Sequence, residues 1–190
     1  MRALEERILS EGKVLPGEVL KVGSFLNQQI DVALLSDMGK EVARLFEGSG
    51  ATKILTIEAS GIAFAVAVGM AMHLPVLFAK KHPSLNISGD LLTTKIHSYT
   101  HGNDYNAVLP REYLSSSDRV ILADDFLASG QALLGLTDLV ESAGAKVIGA
   151  AIQIEKRFQK GRDLLEQRGV RIESLAIVES MSDTALTFSH

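Results

Sequence analysis

The sequence predicts an α/β fold in which helices flank a mainly parallel sheet, and two observations lead there. From about residue 50, short β-branched or apolar runs alternate with helical ones. Strands separated by helices are joined by right-handed crossovers, which make their strands parallel. Charged or small residues also gather where those strands end: Glu58-Ala59-Ser60-Gly61, Lys80-Lys81, Asp124-Asp125 and Glu155-Lys156. Ligands on such sheets sit beyond the carboxyl ends of the strands. Topology alone therefore makes those residues the candidate site.

The chain has 190 residues, 46% of them hydrophobic, which is enough for one domain with a full core. Its net charge is −4 with no long run of one sign, which argues against a dedicated nucleic-acid surface. The absence of cysteine excludes disulfides, thiolate metal sites and a Cys nucleophile. The most apolar run, 61–74, falls short of the roughly 20 residues needed to span a bilayer. The N-terminus lacks the apolar core of a signal peptide, so a cytoplasmic protein is expected.

Residues 2–10 place Leu4 and Ile8 on one face of a short amphipathic helix, stopped at Gly12. Residues 18–22 read as extended, and 24–29 show no clear period. Asp31 is a good N-cap for a second helix with Leu35, Met38, Val42, Leu45 and Phe46 on its apolar side, closed by Gly48 and Gly50. A strand over 53–57, a tight turn, and a helix over 62–73 follow. That helix is so apolar that it is expected to be covered on most sides. Pro75 to Lys80 forms the next strand. Residues 82–118 are polar, turn-rich and weakly patterned, with 91–99 as one strand of a ribbon. A long excursion of this kind between core elements is usually functional or disordered. The core resumes with a strand over 119–123, a helix over 130–142, a strand over 146–154, a helix over 160–168 and strands over 171–178 and 185–188.

The stretch RVILADDFLASGQALL concentrates the chemistry. Two carboxylates at a strand end can accept hydrogen bonds from vicinal hydroxyls. Ala128-Ser129-Gly130 then opens a helix, where small residues let backbone N–H groups approach a phosphate. The acids precede the helix by about a turn, so they do not compete with an anion at its N-terminus. Ala59-Ser60-Gly61 would alone be an ordinary turn. Paired with the first small-residue turn on the same sheet edge, it suits a second phosphate group, here a diphosphate. Lys80 and Lys81 can neutralise a polyphosphate, and the excursion after them can close as a lid. Lys156 can donate to a carbonyl oxygen of a bound ring, with Phe158 near enough to pack on it. His73, His82, His97, His101 and His190 show no metal-type pairing, and neither GxSxG nor GxxxxGK[ST] occurs.

VILADDFLASGQA resembles the phosphoribosyl-diphosphate signature of type I phosphoribosyltransferases: a hydrophobic strand, two acids, two hydrophobics, then two small residues and Gly. IEASGIAFAVAVG looks like that family's diphosphate turn, and VLFAKKHPSL resembles the strand end of its adenine-type members. VLKVGSFLNQQID, DDFLASG and IEKRFQKGRD resemble the members that use xanthine. The resemblance covers essentially the whole chain.

The resemblance implies the type I phosphoribosyltransferase fold. Residues 1–50 would contribute an N-terminal hood over the base, 51–190 the core, and 82–118 a flexible lid loop or ribbon within it. It also implies transfer of the phosphoribosyl group from 5-phospho-α-D-ribose 1-diphosphate to N9 of xanthine, by a homodimer with Mg²⁺ carried on the diphosphate. Asp124 and Asp125 would hold the ribose hydroxyls, and Ala128, Ser129, Gly130, Gln131 and Ala132 the 5′-phosphate. Ser60, Gly61, Lys80 and Lys81 would meet the diphosphate, with Lys81 grouped with the two acids as catalytic. Leu20, Asn27 and Lys156 would meet the purine. No metal ligand is expected among the side chains.

The pattern departs from the generic one at three positions. Phe126 replaces a smaller aliphatic, and Ala132 replaces a common Thr. Ala128 replaces the acid with which hypoxanthine-guanine enzymes manage the proton on N7. A substrate base that arrives partly ionised would make that acid unnecessary. A guanine-, hypoxanthine- or adenine-preferring enzyme is the alternative within the class. A phosphoribosyl-diphosphate-sensing regulator is the alternative outside it, although only about 50 residues precede the core and they hold no basic recognition helix.

Overall fold

The computed structural model describes residues 1–81, 89–98 and 103–189. Helix α1 (Arg2–Glu11) buries Leu4 and Ile8, the pair one turn apart that defines its apolar face. Strands β1 (Lys13–Leu15) and β2 (Val19–Lys21) form a small antiparallel pair after it. The stretch without a period is a π-helical turn, Gly23–Asn27, which buries Phe25 and Leu26 and leaves Asn27 exposed. Helix α2 (Val32–Leu45) begins at its expected cap, where Asp31 accepts the N–H groups of Ala33 and Leu34, both at 3.1 Å.

The core then runs β3 (Lys53–Ile57), α3 (Gly61–Met72), β4 (Val76–Ala79), β5 (Leu91–Ser98) and β6 (Asn103–Pro110). It continues with β7 (Arg119–Leu127), α4 (Gln131–Ser142), β8 (Lys146–Lys156), α5 (Gly161–Gln167), β9 (Ile172–Met181) and β10 (Leu186–Phe188). The main sheet has six strands in the order β10-β9-β8-β7-β3-β4. Its strands pair in parallel except β10, which runs antiparallel to β9. Apolar cores lie on both faces. One joins the sheet to α1, the π-turn, α2 and α3, and the other joins it to α4, α5 and the β5–β6 ribbon. Burial on both faces explains why the central strands read as continuous runs such as VILA rather than alternating.

At the amino ends of β3 and β7, Asp118 accepts from Lys53 Nζ and Thr52 Oγ1, both at 2.9 Å, and from the Ser115 N–H at 2.8 Å. Burial pushes its carboxyl up, but these bonds more than offset that and hold it at about 2. This clamp closes the sheet opposite to the end where ligand chemistry collects.

Two expectations need correction. Strand β7 does not stop at 123 but runs through both acids to Leu127, because its ladder with β8 continues to the Leu127–Glu155 pair. The polar excursion is also better packed than its composition implied. β5 and β6 pair over their full length and bury Leu92, Ile96, Ala107 and Leu109 in the core shared with α4. Residues 82–88 and 99–102 of that excursion, with His82, His101 and also His190, lie outside the described residues. Helix α3 is covered on most sides, as expected, and leaves one stripe open, with Val66 43% and Met70 72% exposed.

Candidate active site

The carboxyl edge of β3, β4, β7 and β8 collects the residues singled out in the sequence. At the end of β7, Asp124 and Asp125 are both buried, 7% and 8% exposed. They face different neighbours. Asp124 Oδ1 accepts the Asp125 N–H at 3.0 Å and lies close against Gly61, while Asp125 Oδ2 accepts from Asn27 Nδ2 at 3.4 Å. Burial, then the charge of Asp125, pushes the Asp124 carboxyl well above the ordinary carboxylate range, and Lys81 opposes this.

The turn Glu58-Ala59-Ser60 leads from β3 into α3, and helix α3 opens at buried Gly61. Ser60 is exposed at the helix N-terminus and makes no side-chain capping bond, which leaves that end open to solvent. Glu58 Oε1 accepts the N–H of Lys81 at 2.6 Å, tying this turn to the end of β4. Lys81 Nζ lies 5.3 Å from the centre of the Tyr105 ring on β6. Lys80 exchanges two backbone hydrogen bonds with Val108, at 2.9 and 2.8 Å, which docks the ribbon onto the strand end.

Beyond the acids, Ala128, Ser129 and Gly130 form the turn into α4, with Gln131 and Ala132 in its first turn. Gly130 has φ +79°, a conformation that needs glycine. Its position is also close-packed, since a Cβ there would lie 2.8 Å from Gly161 Cα. Backbone N–H groups at a helix N-terminus next to two carboxylates can hold a phosphorylated sugar: anion at the helix, hydroxyls on the acids.

Lys156 ends β8. Its Nζ donates to the Glu18 carbonyl at 2.6 Å and lies 5.7 Å from the centre of the Phe126 ring. Burial pushes its ammonium below the ordinary lysine range, against the pull of Glu18. Gln159 Nε2 donates to Glu18 Oε2 at 2.9 Å, so the β1–β2 turn is pinned to the end of β8. Leu20, Val22, Asn27 and Gln28 line a small cleft of about 200 Å³ on this N-terminal layer. Leu20 is buried and Asn27 exposed, which presents an apolar wall beside an amide.

Residues 33–181 match the family described as "Phosphoribosyl transferase domain". The chain belongs to the phosphoribosyltransferases. Relatives of this phosphoribosyltransferase include the xanthine phosphoribosyltransferase of Acinetobacter baumannii, 50% identical over 99% of this chain and 98% of that one. The protein of the same name from Lactiplantibacillus plantarum is 50% identical over 100% and 97%, and that from Lachnoclostridium phytofermentans 52% identical over 96% and 94%. Among solved structures, an adenine phosphoribosyltransferase of Giardia lamblia superposes with a TM-score of 0.78 at 23% identity, covering 94% of this chain and 98% of that one. At that identity the likeness speaks for the fold alone.

Two features of this phosphoribosyltransferase depart from the sequence reading. Glu155 stood among the strand-end residues of the candidate site, but it is fully buried and paired with Arg162. A carboxylate so enclosed does not face a ligand. Gly161 was not singled out, yet it forms the floor under Ala128 and Gly130. The only trace of it in the sequence is a second glycine opening a helix after a strand end. His97 pairs with Asp104 at 2.6 Å across the ribbon and lies outside the site.

Proposed function

We propose that this phosphoribosyltransferase moves the 5-phosphoribosyl group of 5-phospho-α-D-ribose 1-diphosphate to N9 of xanthine, giving xanthosine 5′-monophosphate and diphosphate in purine salvage. The observation that carries this reading is the contact between Asn27 and Asp125. It joins the layer assigned to the base to the acids assigned to the ribose. The full-length likeness to proteins named for xanthine supports the choice of base.

In this reading Asp124 and Asp125 hold the ribose 2′- and 3′-hydroxyls, and residues 128–132 hold the 5′-phosphate. The turn at Ser60-Gly61, with Lys80 and Lys81, meets the diphosphate. The reaction leaves an oxocarbenium-like ribose, so the protein works by positioning and charge: buried acids below the ring, cations at the leaving group. Leu20 packs on the purine, Asn27 reads its C2 carbonyl and Lys156 its C6 carbonyl. Mg²⁺ would come on the diphosphate and screen its charge.

The test compares kcat/KM for xanthine, guanine, hypoxanthine and adenine at fixed phosphoribosyl diphosphate. Xanthine should lead by about tenfold or more, the scale of one well-placed hydrogen bond. A lead for adenine would overturn the choice of base. Because Ala128 supplies no acid for N7, kcat/KM for xanthine should fall steeply below the base's own pKa.

A cytoplasmic homodimer is the assembly we favour. No helix in the described residues is long and apolar enough to cross a membrane. Val32 (75% exposed), Val66 and Met70 form an apolar face between α2 and α3, lining a groove with Leu35, Ala63 and Ala67. A second copy would cover it. Met70→Glu should convert a dimer to a monomer in sedimentation; an unchanged dimer would place the interface elsewhere.

A further inference from the structure

Among the described residues the most enclosed carboxylate is Glu155, at the carboxyl end of β8 but turned away from any ligand. Its Oε1 and Oε2 accept from Arg162 Nε and Nη2, each at 2.6 Å, and Oε2 also accepts from the Ser174 hydroxyl at 2.5 Å. A bidentate fork of this kind fixes the plane and distance of the guanidinium, and with them the backbone that carries it. That backbone begins α5, and the residue before Arg162 is Gly161. Its N–H donates to the Ala128 carbonyl at 3.0 Å. A Cβ on Gly161 would lie 2.4 Å from that oxygen and 2.9 Å from the Gly130 nitrogen. The β7–β8 ladder sets Glu155 opposite Leu127, one residue before the turn begins. The turn at 128–130 is thus gripped from below by a strand end and a helix start that one ion pair locks together.

We infer that Glu155 and Arg162 are positioning residues: their fork holds Gly161 against Ala128 and Gly130 and so sets the backbone of the 5′-phosphate cradle at 128–132. This rests on the proposed role of that cradle. Stability alone is a poor reason for the pair. Desolvating two charges offsets most of their attraction, and apolar residues of similar volume often stabilise as well. What apolar packing does not supply is a fixed direction. Neither residue touches substrate in this arrangement, so the effect is felt through the phosphate and not through the purine.

The test is Arg162→Met in the full chain, checked for a native fold by circular dichroism and by Tm. Its KM for phosphoribosyl diphosphate should rise tenfold or more, while KM for xanthine changes less than twofold and kcat less than about threefold. Arg162→Lys keeps the charge but loses the fork, and should give an intermediate rise of at least threefold. Gly161→Ala leaves the ion pair intact and pushes directly on the turn, so it should match Arg162→Met. Calorimetric titration with ribose 5-phosphate reads the cradle without turnover, and the dissociation constant should shift by the same factors. An unchanged KM and ribose 5-phosphate affinity in folded Arg162→Met overturns the inference. If that variant does not fold, the same result in Arg162→Lys overturns it. Wild-type protein that binds ribose 5-phosphate but transfers to no purine would instead overturn the proposed function.

Discussion

Asp125→Asn is expected to lower kcat/KM for phosphoribosyl transfer by about a hundredfold to a thousandfold, the range for removing one electrostatic stabiliser of a transition state. The Asp125 carboxylate is buried, beside Asp124, and accepts from the Asn27 amide at 3.4 Å. In the proposed reading it accepts from ribose hydroxyls, and its charge lies where the ring becomes cationic. The amide keeps the shape and loses the charge, so kcat should fall more than KM rises. Asp124→Asn separates the two acids. Burial and Asp125 raise the Asp124 carboxyl, which means the folded state binds its proton more tightly than the unfolded chain. The resulting penalty on the folded protein is absent below the unfolded pKa of about 3.9, grows as pH rises above it and is complete once pH passes the raised value. Asp124→Asn should lose activity yet gain Tm at high pH, with the gain vanishing as pH falls to about 4. A Tm that drops at every pH would show that Asp124 is ionised and well paired in the free protein.

The sheet and the acid pair were legible because their signals are local. Each parallel strand is a run of apolar residues ended by a polar one, and the carboxyl-edge rule turns those ends into a site. The length of β7 was not legible: two acids look like a strand terminus, yet the ladder to β8 carries the backbone past them to Leu127. The Glu155–Arg162 pair shows the opposite failure. A charge after an apolar run reads as the boundary with solvent, and the partner that buries it arrives seven positions later on another element. The ribbon was undervalued because its buried residues, Leu92, Ile96, Ala107 and Leu109, sit without a regular period in a stretch rich in polar and turn-forming residues. The cover of helix α3 was legible in its composition, but the open stripe at Val66 and Met70 was not, since composition does not say which face the chain leaves bare. The close approaches at Gly61, Gly130 and Gly161 are pure tertiary facts, visible only when a Cβ is built and meets another backbone or side chain.

Those approaches give the second large effect, at Gly61. A Cβ there would lie 2.4 Å from Thr56 Oγ1 and 3.0 Å from Asp124 Oδ1. The first distance is far inside van der Waals contact, and Thr56 is fully buried, so the hydroxyl has little room to retreat. Gly61→Ala must therefore lift the start of α3 from the sheet or displace Asp124. The first moves the diphosphate turn and the second the ribose acids. Overpacking of this kind costs about 1–3 kcal/mol of stability. Misplacing a site by about 1 Å costs on the order of a hundredfold in rate, so kcat/KM should fall by roughly that factor. The Thr56 hydroxyl finds no hydrogen-bond partner among the described residues, so Thr56→Ala removes the tighter obstacle without orphaning another group. In the double variant, alanine at 61 then meets only the 3.0 Å contact with Asp124, and about tenfold of the lost rate should return, the scale of 1.4 kcal/mol. Wild-type kinetics in Gly61→Ala would mean that the helix end and the acids move independently. A double variant no better than the single would put the whole loss on Asp124, and thus on the ribose rather than on the diphosphate.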